Sequence, residues 1–239
     1  MKKLIKKFLN IFGYEIQKYN PNSGFSNQIM TIIRKADINI VFDVGANTGQ
    51  FSLEILKSGF NGNIISFEPL SKARKELLKN SISFPQWTIF DRVALGGNNI
   101  FTTNINISKN SVSSSILPML DDHINAEPES RYIDTEKTPV ISLDSISQKY
   151  IKEDSNCFLK LDVQGFENEV LDGAIKTLKD IKVILCELSL APLYKGQPNW
   201  KDLVLRLERE GFVLWAIKSG FTEYKNGRTL QIDGVFLKI

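Results

Sequence analysis

The chain has 239 residues, 42% of them hydrophobic and 24% charged, enough for one well-buried domain and short for two. Its net charge of +3 is weak and spread out, so it leaves no footprint for nucleic acid. A single histidine, His123, excludes a multi-histidine zinc site. The two cysteines, Cys157 and Cys186, sit in apolar runs and read as buried thiols in a reducing, cytoplasmic compartment.

The first twenty residues, MKKLIKKFLNIFGYEIQKYN, set Lys2, Lys3, Lys6 and Lys7 between Leu4, Ile5, Phe8, Leu9 and Phe12 at helical spacing. Lysines break the apolar run too often for a signal peptide or a membrane span. A basic amphipathic helix of this kind lies on an anionic membrane surface or docks on its own domain, and both readings stay open. Residues 1–37 are therefore set apart from a single domain over 38–239.

From residue 38 onward, short apolar runs alternate with helical periods. NIVFDV, NIISFE, WTIF, FLKLDV and KVILCEL read as strands covered on both faces. SLEILKSG, SKARKELLKNS and ENEVLDGAIKTLK read as the helices between them. In the last of these, Val170, Leu171, Ala174, Ile175 and Leu178 are expected on one face. NWKDLVLRLEREG adds a helix capped by Asn199, with Trp200 packed beneath it and Gly211 at its stop. FVLWAI and DGVFLKI follow with only a KNGR turn between them. The expectation is α/β: a mostly parallel seven-stranded sheet with helices on both faces and an antiparallel hairpin at its C-terminal end. A polar segment near 100–138 breaks the alternation and is expected to hang over the sheet's carboxyl edge as a lid or substrate loop.

The turn after the first strand, FDVGANTGQF, carries the strongest functional signal. Gly45 permits a sharp turn and Gly49 opens the helix. Asp43 would repel a pyrophosphate and attract a cation, and Asn47 stands where a dinucleotide fingerprint wants glycine. Glu68 ends the second strand, where an acid takes the hydroxyls of a ribose. A cationic head beside Asp43 and a ribose at Glu68 describe S-adenosylmethionine and fit a nicotinamide cofactor badly. A nicotinamide-dependent dehydrogenase is kept as the alternative class.

These blocks, with VALG, SSSIL, LKLDVQGFENEVLDGA, ELSLAPLYKGQP and QIDGVFLKI, resemble the FkbM family of methyltransferases over about residues 40–239. The resemblance implies a Rossmann-like class I methyltransferase fold. It also implies S-adenosylmethionine as cofactor and a hydroxyl oxygen as acceptor, on a sugar of a bacterial surface or secreted glycan or on a polyketide or other secondary metabolite. It implies that Val93 and Ala94 line the adenine site. Gln164 stands where many relatives carry Glu.

A hydroxyl is a weak nucleophile until its proton is drawn off, so a base or a metal is expected nearby. Lys160 and Asp162, two apart on a strand, share a face. Asp162 is the expected base or ligand of a divalent cation. Lys160 is expected to hold that carboxylate charged or to steady an oxyanion, unless the two form only a structural pair. Glu187 closes the next strand and is the second acid of an Asp162–Glu187 metal site, were Mg²⁺ used. Ser114 and Ser115 in the serine-rich loop, His123 in the polar insertion and Tyr194 after the fifth strand are the candidate acceptor contacts.

Overall fold

The computed structural model describes residues 24–99 and 101–239, together with Phe8, Leu9, Ile11 and Phe12. The helix expected over residues 1–20 otherwise lies outside the described residues. No described helix is long and apolar enough to cross a membrane.

Helix α1 (Phe25–Lys35) buries Ile29, Met30, Ile32 and Ile33. After it the chain alternates β1 (Ile40–Val44), α2 (Gln50–Lys57), β2 (Asn63–Phe67), α3 (Ser71–Ser81) and β3 (Trp87–Ile89). Next come β4 (Ala94–Leu95), β5 (Phe101–Ser108), α4 (Asp121–Ala126) and β6 (Tyr132–Ile141). The last part comprises β7 (Cys157–Leu161), α5 (Glu167–Asp172), β8 (Ile181–Ser189), α6 (Trp200–Arg209), β9 (Phe212–Ser219) and β10 (Gln231–Lys238).

Seven strands form one sheet in the order β3-β2-β1-β7-β8-β10-β9. It is parallel through β8, and β10 and β9 pair antiparallel. This is the class I methyltransferase arrangement expected from the sequence. The strand alternation explains why both faces are covered. Ile40, Phe42 and Val44 pack with Leu159, Leu161, Leu203 and Leu207 on one face. Val41, Phe158, Val183 and Val235 pack with residues of α1, α2 and α3 on the other. Phe42 and Phe158 are fully buried on opposite faces, and truncating either to Ala would cost about 3–5 kcal/mol.

Two expectations change. The polar insertion is not a loop: β5 pairs antiparallel with β6, and β6 runs parallel to β4, making a second sheet in the order β4-β6-β5. Ile105 is buried under it and Ile107 is packed beside it, so the alternation in FTTNINIS outweighs its Thr/Asn-rich composition. The helix after β7 is also shorter than its period implies. Gly173 approaches the Gly96 carbonyl so closely that a Cβ would collide with it, and the chain breaks there. Ile175 consequently faces solvent instead of sharing the buried face.

Candidate active site

β1 and β7 lie side by side although 117 residues separate Asp43 from Lys160, its register partner. From this pair the strand order runs outward in both directions, which makes their carboxyl ends the switch point of the sheet, where ligands of open α/β sheets bind. Gly45, at φ 75°, turns the chain there, and a Cβ on it would strike the Asp162 carbonyl oxygen. Asn47 also takes a left-handed φ of 48°, which a short amide side chain tolerates. Gly49 opens α2 against Trp87.

A cavity of about 310 Å³ opens at this point. One lobe is apolar, with Phe67, Val93, Ala94, Leu95 and Ile105 in its wall, and the buried Glu68 lines it too. The middle is bounded by Gly45, Asn47, Lys160, Asp162 and Gln164. The far lobe runs under α1, past Phe25 and Ser26, to Lys218 and Asp233.

Glu68 accepts the backbone N–H of Asn47 at 2.7 Å and of Leu70 at 2.8 Å. Burial nevertheless pushes its carboxyl up to about 7, beyond what those two hydrogen bonds and Lys160 offset. Lys160 has three partners: the Gly45 carbonyl at 2.7 Å, Asp43 Oδ1 at 3.2 Å and Asp162 Oδ2 at 3.4 Å. Burial alone would lower its pKa, but the two carboxylates outweigh burial and hold it above the usual lysine value. Asp43 is fully buried, and its Oδ2 accepts from Ser52 at 2.6 Å and from Ser66 at 3.3 Å. The Asp162 side chain is 42% exposed.

Gln164 ties the site together. With Gly165 it forms a turn of two successive positive φ values, 55° and 95°. Its Nε2 donates to Asp162 Oδ1 and to Glu187 Oε2, both at 2.8 Å. Tyr194 Oη lies 2.7 Å from Gln164 Oε1 and 3.0 Å from the Ser113 carbonyl, sharing its proton between them. Glu187 also accepts from Gln231 at 2.8 Å. Burial first, then Asp162, Glu167 and Asp233, push its carboxyl well above the usual range.

Several sequence expectations are corrected by this geometry. Asp43 does not line the cavity; it neutralises Lys160, and the aspartate that faces the middle of the cavity is Asp162. Lys160, with all three partners in place, is not free to steady an oxyanion. Glu187 lies behind Gln164, whose amide supplies the positive end between the two acids of the expected metal pair. Among the described residues, no group of three or more His, Cys, Asp or Glu side chains is placed to hold a metal ion. Ser114 lines the cavity, but Ser115 is buried and donates to the Gln164 carbonyl at 2.7 Å, locking the turn. Tyr194 is buried and offers no open ring face to the cavity. His123 is buried on α4 against Tyr194 and Phe221, and burial lowers its pKa to about 4. Sequence reasoning missed the α1 contribution and the Gln164 bridge; the Gln-Gly dipeptide at a strand end was the available signal for the latter.

The donor set suits S-adenosylmethionine. Glu68 has lone pairs beyond its two backbone bonds for ribose hydroxyls, the apolar lobe beside it suits a planar base, and the partly exposed Asp162 carboxylate faces the middle of the cavity.

The family model described as the methyltransferase FkbM domain matches residues 43–214. Among solved structures, an rRNA methylase from Streptococcus thermophilus is 12% identical, with 94% of this chain and 99% of that one covered and a TM-score of 0.46. Precorrin-6y C5,15-methyltransferase from Geobacter metallireducens is 13% identical, with 92% and 93% covered and a TM-score of 0.44. No curated protein matches the sequence.

Proposed function

Because the chain belongs to the FkbM methyltransferase family, we propose that it methylates a hydroxyl oxygen of a glycan or small-molecule acceptor, with Asp162 as the base. Bound in the cavity, S-adenosylmethionine supplies an electrophilic methyl group. Glu68 holds the ribose hydroxyls, and Val93 and Ala94 flank the base. Ser114 stands at the same wall and serves as a hydrogen-bonding contact. Asp162 receives the acceptor's hydroxyl proton on Oδ1 or Oδ2 as the oxygen becomes a nucleophile. Lys160 and Gln164 aim that carboxylate, and Glu187 and Tyr194 position Gln164 in turn.

The observation that carries this reading is the exposure of Asp162 beside the buried Asp43–Lys160 pair: the cavity meets a partly exposed carboxylate backed by an ammonium group. Family membership sets aside the dehydrogenase alternative. The acceptor's class distinguishes a glycan from a polyketide or other metabolite hydroxyl. Labelled S-adenosylmethionine incubated with the host's glycans, and separately with its small-molecule extract, should give a product one methyl heavier in the glycan fraction. Asp162→Asn should cut turnover by about 10²–10⁴-fold while S-adenosylhomocysteine affinity, read by calorimetry, changes little. An unchanged rate would remove Asp162 from the chemistry.

We further propose that the protein is cytoplasmic and that its basic N-terminal segment contacts anionic membrane. Flotation with anionic liposomes should be lost on deletion of residues 1–20 and weakened by salt.

A further inference from the structure

We infer that the far lobe of the cavity, between the start of α1 and the strands β9 and β10, is the acceptor subsite and takes a polyhydroxylated ring such as a pyranose. The inference rests on the reading of Glu68 as the ribose contact and Asp162 as the base, and it names what lies on the other side of that base.

The strand order sets the scale. Glu68 follows β2 and Asp162 follows β7, with β1 between them, which separates their strands by about 10 Å. Asp233 lies on β10, a further two strands along past β8, for a total near 19 Å. That span exceeds the length of a nucleoside carrying a short amino-acid arm. A cofactor held at Glu68 therefore ends before Asp233, and the far lobe is left for the molecule that approaches Asp162 from the other side.

The lining of the lobe suits a polyol. Asp233 is the register partner of both Glu187 on β8 and Lys218 on β9. Lys218 Nζ stands 3.6 Å from Asp233 Oδ2, a loose pair with both side chains partly exposed. It also lies 5.1 Å over the ring of Phe25. The start of α1 is fastened across the cavity by a hydrogen bond from Ser26 Oγ to Glu54 Oε1 on α2, which fixes where Phe25 stands.

A carboxylate accepts from two neighbouring hydroxyls, an ammonium group donates to a third oxygen, and Phe25 and Leu185 present apolar surface to the C–H face of a ring. An aromatic acceptor with one hydroxyl would cover Asp233 and Lys218 without pairing them, at a cost for each desolvated group. Burial also raises the Asp233 carboxyl pKa against the pull of Lys218, and hydroxyl donors would relieve that strain on the charged form.

The test uses the full chain saturated with S-adenosylhomocysteine and saturation-transfer NMR. The probes are methyl α-mannopyranoside, methyl α-rhamnopyranoside and methyl β-glucopyranoside, with cyclohexanol as the control. At least one glycoside should receive saturation on its ring protons and cyclohexanol should not. Phe25→Ala and Asp233→Asn should each weaken that binding about fivefold or more, with S-adenosylhomocysteine affinity held within about twofold. Lys218→Gln, on the exposed edge strand, supplies the same readout should Asp233→Asn fail to fold. No glycoside signal from the loaded wild-type chain, or equal signals from the variants, would overturn the inference. A loss of about tenfold in S-adenosylhomocysteine affinity would also overturn it, by showing that the lobe holds the cofactor's arm. A wild-type chain that binds no S-adenosylhomocysteine would instead refute the reading of the Glu68 end, a separate and earlier failure.

Discussion

The tips of β1 and β7 carry aspartates that share one lysine, yet the two acids live in different physical worlds. Asp43 is fully enclosed, and Lys160, Ser52 and Ser66 surround it. Asp162 meets the same ammonium group at 3.4 Å but opens onto the cavity. One charge holds the fold at the point where two distant strands meet, and the other is left available. Residue type and spacing are the same kind of signal at both tips; solvent access separates their roles.

Exchanging the two effects is the most direct way to break this comparison. Lys160→Met leaves Asp43 buried beside an apolar chain, and a stranded buried charge costs about 3–5 kcal/mol. Denaturant unfolding should show that loss, whereas Asp162→Asn should shift the midpoint by under about 1 kcal/mol despite its effect on turnover. Equal destabilisation by the two variants would erase the distinction.

A smaller effect is expected one step further out. Tyr194→Phe removes the hydroxyl shared by Gln164 and Ser113 and leaves buried acceptors unpaired, for about 1–3 kcal/mol. Its kinetic signature should be a lowered kcat with unchanged S-adenosylhomocysteine binding, because the turn that aims Asp162 loosens while the nucleoside end is untouched.

The smallest effect is in pH, and it sharpens the comparison at a third acid. Glu68 has a folded pKa of about 7 against an ordinary 4.5, so the folded chain holds more protons between those values. Its contribution makes stability fall as pH rises through that window. Nucleoside binding runs the other way, since ribose hydroxyls favour the carboxylate: affinity should weaken below pH 7, by at most about tenfold per unit. Glu68→Gln should flatten both trends, and the difference between wild type and variant isolates Glu68 from Glu167, which burial also raises to about 7.

The central sheet was legible because its evidence is local. An apolar run ending in Asp-Val-Gly, a second ending in Phe-Glu and the i, i+2 placement of Lys160 and Asp162 all survive translation into strands without knowledge of their neighbours. The pairing of Asp43 with Lys160 was not legible, because it exists only once β7 is laid against β1 in one register. Tyr194 and His123 were read as acceptor contacts for a related reason. His123 follows two aspartates and Tyr194 precedes a lysine, yet the two rings pack against each other, and no local pattern records that contact. The insertion failed differently: threonine and asparagine on its outer face, Thr102 and Asn104, masked an alternation whose inner face buries Ile105.

The bridge at Gln164 has a chemical consequence. Its amide has a sense: the tyrosine hydroxyl addresses the oxygen, so the nitrogen must turn toward the two acids. A glutamate in the same rotamer would offer oxygen to both, and it would have to carry a proton to fit between them. Turning glutamine into glutamate here would therefore add a titrating group to a turn where the amide carries none.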